Sequence, residues 1–285
     1  MAGEQNLTTA AAPAVSVPLI GGTAIVADAA SGAPFDATRT LIDLAPYDAV
    51  SRWRPWPAVG AVLLVMAVAA IVAIGVGMVA LILQHDTTGA PRSAKVMLVM
   101  LIAQVIMIAG VLVAAGAKGD RLKVALALKP PAGGLRSYIG GMAIVAAAVG
   151  AYSVLASALF GHDQGADLKD MADIFRGAWW PLALIVIGIG APLSEELMFR
   201  GFLQTALARS RLGYWGAALV TTSIWTTLHA GYSPVGLGEV FLIGVIFAMF
   251  LRRTGSLRVS LVCHAVYNSS IALLMIFAPS DLLGF

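Results

Sequence analysis

Seven apolar runs, at about 57–83, 96–116, 137–160, 180–208, 214–230, 235–251 and 257–277, leave this chain few ways to fold. A hydrocarbon core about 30 Å thick takes about 20 helical residues to cross. Backbone amides cannot be left unpaired in lipid, so such runs fold as transmembrane helices. A composition of 59% hydrophobic and only 12% charged residues, with mean hydropathy +0.88, excludes a soluble globular domain. The expected fold class is therefore all-α, a polytopic transmembrane helical bundle of about seven spans, with 235–251 the shortest. Three regions are expected: a disordered cytoplasmic tail over 1–50, N-terminal membrane helices with a surface amphipathic segment over 51–179, and a catalytic membrane core over 180–285.

Lysine and arginine fall unevenly between the two ends of such a bundle. Arg39, Arg52 and Arg54, then Lys118, Arg121, Lys123, Lys129 and Arg136, then Arg200, Arg209 and Arg211, and finally Arg252, Arg253 and Arg258 share one side. The other side has Arg92, Lys95, Lys169 and Arg176. The positive-inside rule then predicts a cytoplasmic N-terminus and an external C-terminus in a bacterial plasma membrane. The net charge of +3 reflects these loops, and no nucleic-acid partner is expected. Arg52, Trp53, Arg54 and Trp56 read as an interfacial anchor, and the spacing within 163–176 suggests a helix lying on the bilayer surface. One cysteine, Cys263, allows neither an intrachain disulfide nor a cysteine-based zinc site.

Charged side chains at membrane depth are costly and persist where function or pairing requires them. Glu195, Glu196 and Arg200 stand inside the apolar run LALIVIGIGAPLSEELMFRGFLQTALA. Four-residue spacing lets Glu196 pair with Arg200, whereas Glu195 has no local partner and is the candidate to activate water as a general base. Pro192 lacks a backbone N–H and is expected to loosen the helix and free a carbonyl. His264 and Asn268, also four apart, are two hydrogen-bond donors for a developing oxyanion. His229, after Trp225 and before Gly231 and Pro234, is expected to line a cavity near a helix end. At about 1.5 Å per residue, Glu195 and His264 reach similar depths, while His229 comes out about 13 Å too far outward unless the fifth helix starts below the surface or tilts.

Simpler roles account for the remaining polar residues. Glu239 reads as an interfacial helix cap, His85 and His162 as solvated loop residues, and Gln104 as an interhelical hydrogen-bonding residue. Gly244 and Ala248 form a small-xxx-small pair that suggests close helix packing.

The succession EExxxR, then an aromatic residue with histidine four residues on, then HxxxN preceded by GVIFAMFLRRTGSLRVSLVCH, resembles the CAAX protease and bacteriocin-processing family of intramembrane proteases over roughly 180–277. The resemblance implies an intramembrane endopeptidase that hydrolyses a peptide bond of a membrane-associated, prenylated or hydrophobic substrate. Glu195 would activate water, His229 and His264 would flank the scissile carbonyl, Asn268 would sit in the oxyanion site, and Glu196 and Arg200 would support them. Trp225 departs from the family, which usually has phenylalanine there. No cofactor is expected. A zinc ion held by His229, His264 and Glu195 is the alternative. A non-catalytic immunity or scaffold protein, or a proton-coupled transporter on the same bundle, is the alternative function.

Overall fold

The computed structural model describes residues 26–27, 34–35, 51–82, 92–131, 133–161, 167–168, 175 and 177–277. The chain divides into Met1–Thr38 and Arg39–Phe285. In the first unit, β1 (Val26–Ala27) pairs antiparallel with β2 (Pro34–Phe35), Val26 opposite Phe35. The rest of the expected tail lies outside the described residues, as do His85, His162 and most of the expected surface helix over 163–176.

The second unit is helical. Its helices are α1 (Pro55–Ile82), α2 (Arg92–Gly116), the single turn α3 (Leu122–Ala125), α4 (Leu135–Phe160), α5 (Trp180–Leu207), α6 (Gly213–Thr227), α7 (Pro234–Thr254) and α8 (Leu257–Phe277). Six of these are long and apolar enough to cross a membrane. The seventh expected span is α6, which forms where the sequence placed it but has only 15 residues. That corrects the expectation that 235–251 is the short one, because α7 runs for 21 residues. Ser233 extends α7 by accepting from Gly236 N–H, Pro234 opens it, and Gly255 at φ 64° closes it.

Half of the apolar window of α5 and of α7 is buried against protein, compared with 11% for α1 and α4. The centre of the bundle is thus α5, α7 and α8, around Phe199, Phe202, Phe247, Phe250 and Leu257. Lipid tails are as apolar as these side chains, so close approach of small residues has to hold the helices together. A Cβ on Gly244 of α7 would lie 2.5 Å from Thr222 Cγ2 and 2.9 Å from Arg200 Nη2. The small residue of the Gly244/Ala248 pair therefore brings α7 against the charged centre of the bundle, and the Tyr214 hydroxyl donates to Ala248 O at 2.7 Å. Gly244→Ala is expected to cost about 1–3 kcal/mol through overpacking, read as a lower melting temperature of the purified protein in detergent.

Trp53, in the expected interfacial anchor, also packs on the bundle. Its indole N–H donates to Ala114 O at 3.1 Å, its ring meets Phe202 edge-on at 5.3 Å, and Lys118 lies over it. Trp56, 83% exposed, does present its ring outward. The stretch after α3 docks beneath α8: Leu257 N–H donates to Ala127 O at 2.9 Å and Arg258 Nε to Leu128 O at 2.8 Å. That docking sets the height at which α8 starts, and hence the height of His264.

Candidate active site

Two π-helical stretches, Leu184–Gly190 and Glu196–Gln204, flank the short α-helical Ala191–Glu195 inside α5. Pro192 supplies no N–H, and wider turns align their carbonyls poorly, so carbonyls here need other donors. Three successive ones receive side chains from neighbouring helices. Gln104 Nε2 of α2 donates to Val186 O at 3.1 Å, Asn268 Nδ2 of α8 to Ile187 O at 3.1 Å, and the Ser269 hydroxyl to Gly188 O at 3.4 Å. Gln104 is thus the interhelical residue expected, and the carbonyl freed at Pro192 is the one Ser269 meets. Asn268 has one amide N–H committed to α5, which leaves one for any oxyanion.

Beyond Pro192 the two carboxylates part. Glu196 and Arg200 are both fully buried, with Oε1 and Nη1 3.1 Å apart. The guanidinium lies 4.1 Å from the Trp225 ring centroid and 5.8 Å from that of Phe247. Taking an ion pair out of water is expensive, and aromatic faces offset part of that cost. Glu196 Oε1 also lies 3.2 Å from His264 Nδ1. A carboxylate only accepts, so Nδ1 donates to it and the ring turns Nε2 the other way.

That Nε2 lies 4.0 Å from Glu195 Oε2. Glu195 is not without a partner, as its local sequence suggested, because the Trp225 indole N–H donates to the same Oε2 at 2.6 Å. Twelve residues separate Trp225 from the start of α6 and Glu195 from the end of α5, about 18 Å in each case. Equal depth on adjacent helices is what lets the bond form. Phenylalanine at this position would lack the donor. Trp225→Phe is expected to keep the stacking on Arg200 yet lower any Glu195-dependent turnover by about tenfold, the worth of one hydrogen bond to a charged group. Comparing kcat for the two proteins checks this.

His229 lies beyond the end of α6. Its Nδ1 is 3.2 Å from Trp225 O, and its ring meets Trp225 at 5.0 Å and Tyr232 at 5.8 Å. The same Trp225 ring meets His264 at 5.6 Å. Glu195 and His264 converge directly, and His229 joins them only as part of the same cavity wall.

The cavity has a volume of about 530 Å³ and is lined by Glu195, Trp225, His229, His264 and Asn268 together with apolar side chains such as Met97, Ile187 and Ala272. Sequence spacing missed its rim. Asp167 accepts from Ser233 N–H and from the Ser233 hydroxyl, both at 2.8 Å, across 66 residues. Glu239, read as a helix cap, accepts instead from the Tyr267 hydroxyl at 2.8 Å, and capping falls to Ser233. A Ser-Pro pair opening α7 was the available signal for the cap, whereas nothing in the spacing pointed to Asp167. Among the described residues no three His, Cys, Asp or Glu side chains gather as a metal would need. His229, His264 and Glu195 do not form such a group, so these residues as placed do not fit zinc.

Residues 177–270 match the family model described as type II CAAX prenyl endopeptidase Rce1-like. An uncharacterized 24.3 kDa protein of Escherichia coli is 36% identical over 86 residues, covering 29% of this chain. The chain spans 39% of the length of that relative. No solved structure matches. The matched segment runs from the start of α5 through His264 and Asn268 on α8, so every candidate site residue lies within it, and over this membrane core, residues 177–270, the chain is similar to the Rce1-like CAAX prenyl endopeptidases.

Proposed function

We propose that this integral membrane protein is an intramembrane endopeptidase in which Glu195, acting without a metal, activates the water that hydrolyses a peptide bond. The observation that carries the reading is the facing of Glu195 Oε2 and His264 Nε2 across 4.0 Å inside an apolar cavity. That gap is too long for a direct hydrogen bond and is spanned by one water about 2.8 Å from each. In this reading His264 is neutral, so both groups accept, and the water donates to each and turns a lone pair toward the cavity.

The step balances as follows. Glu195 takes one proton as the water oxygen bonds to the carbonyl carbon, and the carbonyl electron pair moves onto its oxygen. The second Asn268 amide N–H meets that oxyanion, and His229 lines the wall beside it. As the pair returns, the carbon–nitrogen bond breaks, and Glu195 passes its proton to the departing nitrogen. Glu196 and Arg200 touch no reacting atom. Glu196 holds the His264 tautomer, and Arg200 balances Glu196.

The substrate class that fits is a membrane-associated peptide or protein whose apolar segment enters the cavity, prenylated or not. Purified protein in detergent is expected to cleave hydrophobic or prenylated peptides, with activity unchanged by strong chelators. Loss of cleavage on chelation and recovery with zinc would overturn the metal-free mechanism. Equal, background-level cleavage by the native protein and Glu195→Gln would overturn the enzyme in favour of a binding role.

A further inference from the structure

The cavity is built at one end of the bundle. Its described wall comes from the first turns of α2, the second half of α4, Asp167 and Phe175 before α5, the turn joining α6 to α7, and the second half of α8. Glu195, Trp225 and His264 form its inner end. Beyond them the bundle is packed solid: Phe199, Phe202, Phe247, Phe250 and Leu257 are each at most 2% exposed, and the stretch after α3 docks beneath α8.

The two ends also differ in charge. Arg52, Lys118, Arg209, Arg211, Arg252 and Arg258 all lie at the packed end, where Arg252 and Arg253 additionally complement the C-terminus of α7. Lysine and arginine collect on the cytoplasmic side of membrane proteins. The open end is then the other one.

We propose that the cavity is loaded from the non-cytoplasmic face, so that its substrate is an apolar peptide segment presented at that face and not a chain terminus delivered from the cytoplasm. This rests on the endopeptidase reading for the word substrate, while the direction of opening does not depend on it. Walls such as Met97, Met100, Phe175, Ile187 and Ala272 suit an apolar stretch, and the Asp167–Ser233 and Glu239–Tyr267 hydrogen bonds pin the rim around it.

Thiol labelling in a bacterial host tests the direction without needing activity. Cys263, the one native cysteine, is buried, so the native protein supplies the blank. Gly231 lies on the rim with open space where a side chain would go, and Ala230 beside it is exposed. Arg211, exposed at the opposite end, is the control. A membrane-impermeant maleimide is expected to label Gly231→Cys and Ala230→Cys in intact cells, and Arg211→Cys only after permeabilisation. Labelling of the two rim variants only after permeabilisation, or in neither condition, would overturn the proposal. Bulky maleimide at Gly231→Cys is further expected to abolish cleavage by purified protein and to leave Arg211→Cys unaffected. Retained cleavage by the blocked rim variant would overturn the loading route even with the labelling pattern intact. Absence of cleavage in the native protein would remove the endopeptidase reading and leave the direction of opening to the labelling.

Discussion

Glu195→Gln is expected to lower peptide cleavage by about 10²–10⁴-fold, the usual contribution of a positioned general base, in protein that still folds. Glutamine has the same shape and keeps a carbonyl oxygen to accept the Trp225 indole N–H. Glu195 is also the less enclosed of the two carboxylates, its side chain 18% exposed while that of Glu196 is fully buried. What glutamine cannot do is take a proton from water. The measurement is initial-rate cleavage of a hydrophobic peptide by native and variant protein at matched concentration, with a detergent melting curve run alongside. A variant with near-native turnover would remove Glu195 from the mechanism. A variant that fails to fold would show that the residue is structural, contrary to its single hydrogen bond and partial exposure.

Arg200→Met should do the opposite and fail as a folded protein. Methionine roughly preserves the apolar stem but strands Glu196, which is fully buried and has only His264 as a remaining partner of comparable strength. Removing one partner of a buried ion pair typically costs about 3–5 kcal/mol, a large fraction of the stability of a typical protein. The loss also reaches the site, because Arg200 stacks on the ring that positions Glu195. Double replacement, Glu196→Gln with Arg200→Met, is expected to recover part of the melting temperature, since residues in one network couple non-additively. Recovery without restored cleavage would separate the two functions of the pair: stability from charge balance, and activity from the His264 tautomer. A stable Arg200→Met protein would mean that the guanidinium is not needed to hold the buried carboxylate.

Much of this protein was legible along the chain because bilayer chemistry is one-dimensional. A run of about 20 apolar residues has one low-energy fate in lipid, so the helices could be placed in sequence. Four-residue spacing on a helix also gave the Glu196–Arg200 pair directly. Pro192 announced a disturbed helix for a local reason, the missing N–H, and the donors from α2 and α8 meet the need it creates.

The rest depended on how helices meet, which spacing does not encode. The partner of Glu195 is 30 residues away, on a helix whose 15-residue length determines that Trp225 arrives at the same depth. The single N–H by which tryptophan differs from phenylalanine matters only once that depth is matched. His229 and His264 look equivalent in sequence, yet in the tertiary structure His264 faces Glu195 and Glu196 while His229 packs on Trp225 and Tyr232, and the three residues of the zinc set that composition alone allowed do not gather. Asn268 likewise has the right chemistry for an oxyanion, and only the packing of α8 on the wide turns of α5 shows that one of its two N–H groups is already committed. The sequence by itself determined a helical membrane protein with charges it had to neutralise internally, because lipid provides no other solution. The tertiary structure decided which charge is neutralised by burial and which is left facing a cavity, because that choice depends on distances between helices and not on order along them.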